Sequence, residues 1–79
     1  MLRAVENLVA YANRGYETKK EGNHSMIQTE TNIKYYYYQT CICNVNKVTG
    51  KVIYSNGGWA TSSTTRAINS YKQVYGAGE

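Results

Sequence analysis

Ile33-Lys34-Tyr35-Tyr36-Tyr37-Tyr38-Gln39-Thr40-Cys41-Ile42-Cys43-Asn44-Val45-Asn46 is the stretch on which the reading of the fold turns. It is rich in Tyr, Ile, Thr, Val and Cys, the residues that suit a pleated ribbon. Side chains alternate across a strand. Ile33, Tyr35, Tyr37, Cys41, Cys43 and Val45 are therefore expected on one face. Lys34, Tyr36, Tyr38, Thr40, Ile42 and Asn44 are expected on the other. Gln39 breaks the apolar face, which predicts a bulge and a change of register near Gln39 or Thr40.

Downstream, Asn46 to Lys51 reads as a hairpin turn with Gly50 in the left-handed region. Lys51 to Ser55 returns as a second strand, Asn56-Gly57-Gly58 turns again, and Trp59-Ala60 could add a short third strand. Thr61 or Ser62 then caps a helix whose apolar stripe is Thr64, Ala67, Ile68, Tyr71, Val74 and Tyr75. Arg66, Asn69, Ser70, Lys72 and Gln73 face away, Gly76 ends the helix, and Gly76 to Glu79 is expected to fray.

Upstream, Leu2, Val5, Leu8, Val9 and Ala12 fall at helical spacing, with Gly15 as the stop. Tyr16 to Glu30 is polar and reads as a solvated linker. The expected fold is thus α+β, one domain over residues 1–79. An N-terminal helix (1–15), a polar linker (16–30), a small antiparallel sheet (31–60; a hairpin or three-strand meander) and a C-terminal helix (61–76) succeed one another. Lys20-Glu21-Gly22 can be encoded by a purine-rich run that recruits bacterial ribosomes, which makes Met26 a candidate second start. The amphipathic pattern before Gly15 argues against it.

The 79-residue chain has room for one small core and not for a large enzyme fold. No apolar run approaches the roughly 18 residues that would span a membrane. One His, His24, and five acids leave no pair placed as general acid and base. Catalysis is not expected, and neither a cofactor nor a metal is implied. Cys41 and Cys43 would need two further ligands to hold zinc, and His24 is the one candidate in the chain. Reduced core cysteines in a cytoplasmic protein are the expectation, with an intermolecular metal or disulfide link as the alternative.

The most distinctive text runs Ser55-Asn56-Gly57-Gly58-Trp59, Thr61, Thr64-Thr65-Arg66 and Ile68-Asn69. Together with the Tyr-rich strand before it, it resembles small phage-encoded proteins of uncharacterised function. In these, such a strand leads through an Asn-Gly-Gly-Trp turn into a Thr-capped helix. The resemblance spans about Ile33 to Tyr71 and brings no settled activity with it. Physically the same residues form a corner, with Trp59 expected as an apolar anchor against the helix start.

Consecutive Tyr residues cannot all be core, so Tyr36 and Tyr38 are expected outside, near Lys34, while Tyr54, Tyr71 and Tyr75 are expected inside. Exposed Tyr, Trp and Arg suit a protein interface. The candidate partner-binding residues are Lys34, Tyr36, Tyr38, Lys51, Trp59, Arg66, Asn69 and Lys72. The phage resemblance implies a host protein as partner, in the cytoplasm of a bacterial cell. It makes an anti-CRISPR-like antagonist of a nuclease complex the leading expectation. Inhibitors that imitate nucleic acid are mostly acidic, whereas this chain carries a net charge of +4. It would instead lock a conformation or cover an acidic surface. Two alternatives stand beside this one. Sheet tyrosines and Lys or Arg could bind nucleic acid, although +4 is a mild bias. An exposed Tyr face beside an edge strand could also pair with a second copy, as in a homo-oligomeric assembly protein, and a homodimer is compatible with each reading.

Overall fold

A computed structural model describes residues 2–76. Helix α1 (Arg3–Asn13) is followed by strands β1 (Thr18–Glu21), β2 (His24–Gln28), β3 (Asn32–Tyr37), β4 (Thr40–Asn46) and β5 (Val52–Tyr54), and then by helix α2 (Ser62–Tyr75). The strands form one antiparallel sheet in chain order. Both helices lie on the same face of it, α1 over β1 and β2 and α2 over β4, and they touch each other. The class is α+β as expected, but the sheet has five strands where a hairpin or a three-strand meander was predicted.

The helices follow their sequence patterns. α1 buries Val5, Leu8, Val9 and Ala12 and closes at Gly15, whose N–H donates to the Ala12 carbonyl. α2 is capped by Thr61, whose Oγ1 accepts from the Thr64 N–H at 3.2 Å. It buries Thr64, Ala67, Ser70 and Tyr71 and stops at Gly76 with φ 92°. Residues 77–79 of the predicted frayed tail lie outside the described residues. Ser70, expected to face solvent, is buried where the helices meet. Its hydroxyl donates to the Arg66 carbonyl at 3.0 Å and accepts from the Leu2 N–H at 3.3 Å. A small hydroxyl there lets α1 approach while answering an N–H that has no partner within α1.

The predicted linker at 16–30 is a β-hairpin, β1–β2, turned at Gly22 with φ 62°. Its polarity is that of an edge, not of a solvated tether. Glu21 accepts from the Asn7 amide of α1 at 3.0 Å, and the Lys19 ammonium lies 4.6 Å and 4.8 Å from the ring centres of Tyr11 and Tyr16. Met26, in the middle of β2, is fully buried opposite Tyr35. A chain beginning at Met26 would lack α1 and β1, and with them four of the core residues.

The Tyr-rich stretch from Ile33 to Asn46, read as one strand, reverses at Tyr38-Gln39 and forms β3 and β4. Tyr38 takes φ 57°, a conformation uncommon for anything but glycine. The expected bulge occurs farther on. Tyr35 pairs with Cys43 and Tyr36 with Cys41, which leaves Ile42 as the extra residue. The bulge turns Ile42 and Cys43 together into the core and places Cys41 beside Tyr36 on the opposite face, so the two cysteines do not share a face as predicted. The Asn46–Lys51 turn forms as read. Asn46 Oδ1 accepts from the Val48 and Thr49 N–H groups at 2.9 and 3.0 Å, and Gly50 has φ 79°. Trp59-Ala60 is not a strand.

The core joins Leu8, Val5 and Val9 of α1, Met26, Tyr35, Ile42 and Cys43 of the sheet, and Ala67 and Tyr71 of α2. Tyr35 and Tyr71 stack with ring centres 4.4 Å apart, and the Tyr35 and Tyr75 hydroxyls hydrogen-bond each other. Among the described residues, no helix is long and apolar enough to cross a membrane.

Candidate functional site

Two separate sequence motifs meet at one end of the sheet. The end of the Tyr run supplies the β3–β4 reversal, and the Asn-Gly-Gly-Trp corner supplies the entry to α2. Between them lies an open groove of about 720 Å³, lined by Tyr37, Tyr38, Gln39, Thr40, Ile42, Trp59, Thr61, Ser63 and Thr64.

Backbone geometry fixes both walls. Gly57 and Gly58 have φ 60° and 89°, and the turn closes when the Trp59 N–H donates to the Asn56 carbonyl at 2.8 Å. Asn56 Oδ1 accepts from the Gly58 N–H at 2.9 Å, and Ser55 Oγ accepts from the Gly57 N–H at 3.1 Å. A Cβ on Gly57 would stand 2.5 Å from Thr40 Cγ2, so this glycine is also the point where the two walls touch. On the other wall, the Tyr38 N–H donates to the Asn23 carbonyl at 2.8 Å, and the Asn23 amide donates to the Tyr38 hydroxyl at 3.0 Å. Tyr38 also meets Tyr37 edge to face at 4.7 Å. The β1–β2 turn therefore holds the reversal in its left-handed conformation.

Trp59 does not anchor the core as predicted. It is 63% exposed, and Tyr38 across the groove is 62% exposed. The Thr61 and Thr64 hydroxyls bond each other at 3.0 Å and occupy the start of the helix, where the ring was expected to pack. The groove is aromatic and hydroxyl-bearing, with no charged side chain in its lining.

The eight predicted partner-binding residues fall in four places. Tyr38 and Trp59 wall the groove. Lys34 and Tyr36 lie on the sheet face away from the helices, and the Lys51 carbonyl accepts from the Asn46 N–H at the edge of that sheet. Arg66 and Asn69 border a shallow hollow of about 220 Å³ with Leu2, Ser70 and Gln73. Lys72 lies over the Tyr54 ring at 5.4 Å, near the opposite end of α2 from Thr61. Gln39, Ser63 and Thr64 belong to the groove without having been singled out for binding. Gln39, read from the sequence as the place of a bulge, is instead part of the reversal between β3 and β4.

Titratable groups near the core are held neutral. Burial pushes the Cys43 thiol up to about 12 and the Tyr54 phenol up to about 12. Tyr35, Tyr71 and Tyr75 are raised as well, by burial first and for Tyr35 also by its bond to Tyr75. Cys41 is raised by burial, against the opposing pull of its backbone hydrogen bond at Cys43 and of the nearby Lys34 charge. A protonated buried thiol is a poor nucleophile. His24 lies in β2 against Tyr37, ring centres 4.8 Å apart, and burial lowers its pKa. Its Nδ1 and the Tyr71 hydroxyl are buried without a hydrogen-bond partner among the described residues. No group of three or more His, Cys, Asp or Glu among the described residues could hold a metal ion. Comparison with known protein families, with curated proteins and with solved structures found no match.

Proposed function

We propose that this is a non-catalytic binding protein that docks a partner protein on the groove between Tyr38 and Trp59. The observation that carries the reading is the pair of large, exposed aromatic rings facing one groove from two hydrogen-bonded turns. Ordinary packing sends such rings inward. Here two left-handed glycines and one left-handed Tyr hold them out. Aromatic anchors of this kind carry most of the energy at protein interfaces. Turns already closed by hydrogen bonds lose little backbone freedom on binding.

The resemblance to small phage proteins supports a host protein as the partner, met in the bacterial cytoplasm, and antagonism of a host-defence nuclease complex as the consequence. The net charge of +4 favours an acidic protein surface over mimicry of nucleic acid. Affinity capture from host lysate, repeated after nuclease treatment and with Trp59→Ala, tests the reading. A protein retained after nuclease treatment and lost with Trp59→Ala supports it. The expected loss is about 2 kcal/mol or more, roughly thirtyfold in Kd. Capture unchanged by Trp59→Ala and by Tyr38→Ala overturns it.

A further inference from the structure

The sheet has a second face that no element covers. Both helices pack on the side of Met26, Tyr35 and Cys43, so the other side is open. The strand register lays Thr18, Ile27, Lys34, Asn44 and Ile53 in one row across all five strands. Lys20, Ser25, Tyr36 and Cys41 form the adjacent row. Ile27 is 45% and Ile53 62% exposed, an unusual position for two β-branched apolar residues.

The charge pattern is one-sided. Among the described residues, every strand position on this face is free of Asp and Glu, while Lys20 and Lys34 lie on it. Glu21, the one acid in a strand, points to the covered side and is bonded by Asn7 of α1. Lys20 and Lys34 sit on β1 and β3, two strands apart and two residues out of line, roughly 12 Å between their backbones. Tyr36 lies in line with Lys20, on the strand that carries Lys34.

We infer that this face binds single-stranded nucleic acid, with Lys20 and Lys34 on two phosphates of the same strand, a base on the Tyr36 ring, and Ile27 and Ile53 against neighbouring bases. Spaced cations with no acid between them are met together by a repeating anion, whereas a single carboxylate meets only one. A phenol ring on an open sheet offers a π-face to any base. A second copy stacked on this face would bring lysines towards lysines with no acid there to answer them, which disfavours self-association by this route. The surface is separate from the Tyr38–Trp59 groove, so the two readings stand or fall independently.

The test is fluorescence anisotropy with a labelled mixed-sequence 12-nucleotide DNA and the matching RNA, at low salt, on the full chain. Binding is expected to weaken tenfold or more with Lys34→Glu and about fivefold or more with Tyr36→Leu, a change that keeps an apolar side chain in place. The logarithm of the affinity should fall against the logarithm of salt with a slope near −1.4 for two phosphates. Trp59→Ala should leave this binding unchanged. Should Tyr36→Leu fail to melt cooperatively, Lys34→Glu decides, since Lys34 lies on the open face and outside the core. No binding by the native chain, indifference to Lys34→Glu, or equal affinity for duplex would overturn the inference. So would binding of polyglutamate that Lys34→Glu abolishes while oligonucleotides stay unbound, which would assign the face to an acidic protein.

Discussion

Tyr35 and Tyr36 are neighbours in sequence and differ in almost everything else. Tyr35 is fully buried, stacked on Tyr71, bonded to the Tyr75 hydroxyl and backed by Met26. Tyr36 is half-buried on the open face, between Ser25 and Cys41. The same side chain is a structural ring in one position and a candidate contact in the next. The difference comes from the period of the strand and from the single face that the helices cover. Stability should therefore reside on one side of the sheet and binding on the other side and at its end.

The strongest way to break this comparison is alkali. Tyr35, Tyr71, Tyr75, Tyr54 and Cys43 all keep their protons in the folded chain above their ordinary pKa values, the last two up to about 12. The unfolded chain loses these protons at the ordinary values, so above them it binds fewer protons than the native state. Stability is then complete below about pH 9 and falls as pH rises towards 12. Cooperative unfolding in that window, followed by circular dichroism alongside tyrosinate absorbance, is the expected outcome. Gradual ionisation of every phenol with the fold intact would place those rings in water.

Substitution sharpens the contrast. Tyr35→Ala is expected to cost about 3–5 kcal/mol in denaturant melts, since it opens a cavity where Tyr71 and Tyr75 of α2 pack. Tyr36→Ala should cost only about 1 kcal/mol. Equal costs would erase the distinction between the faces. Gly57→Ala should cost about 1–3 kcal/mol, because its Cβ meets Thr40 and the left-handed turn strains it. That change should also weaken partner capture, as Trp59 and the hairpin tip move apart. Trp59→Ala gives the smallest effect on stability, within about 0.5 kcal/mol, while removing a groove wall. A loss of several kcal/mol would return the ring to the core.

Regions with a strong local signal were legible in the sequence. The apolar stripe of α1, the Thr61 cap, the Asn46–Lys51 turn and the left-handed glycines each follow from short-range chemistry. The open position of Tyr36 follows from alternation alone. The β1–β2 hairpin was not legible. Thr18-Lys19-Lys20-Glu21 carries no apolar alternation, and the strand is held by pairing with Ser25 and Met26 and by Asn7 of α1. The reversal at Tyr38-Gln39 was hidden for a related reason. No glycine or asparagine marks it, and its left-handed Tyr is fixed by Asn23, 15 positions away. Trp59 could be read from the sequence both as an apolar anchor and as a contact residue, and its exposed setting is decided by the turn that precedes it.

The sequence by itself determined that this chain forms two amphipathic helices and a Tyr-rich antiparallel sheet, with at least one phenol ring left outside. These outcomes depend on periodicity, capping and backbone sterics, which act over a few residues. Tertiary structure alone decided the number of strands, the bulge that parts Cys41 from Cys43, and the meeting of Tyr38 with Trp59. Each of these depends on which distant groups satisfy a backbone N–H or fill a face of the sheet. That balance is struck only when the whole chain is folded.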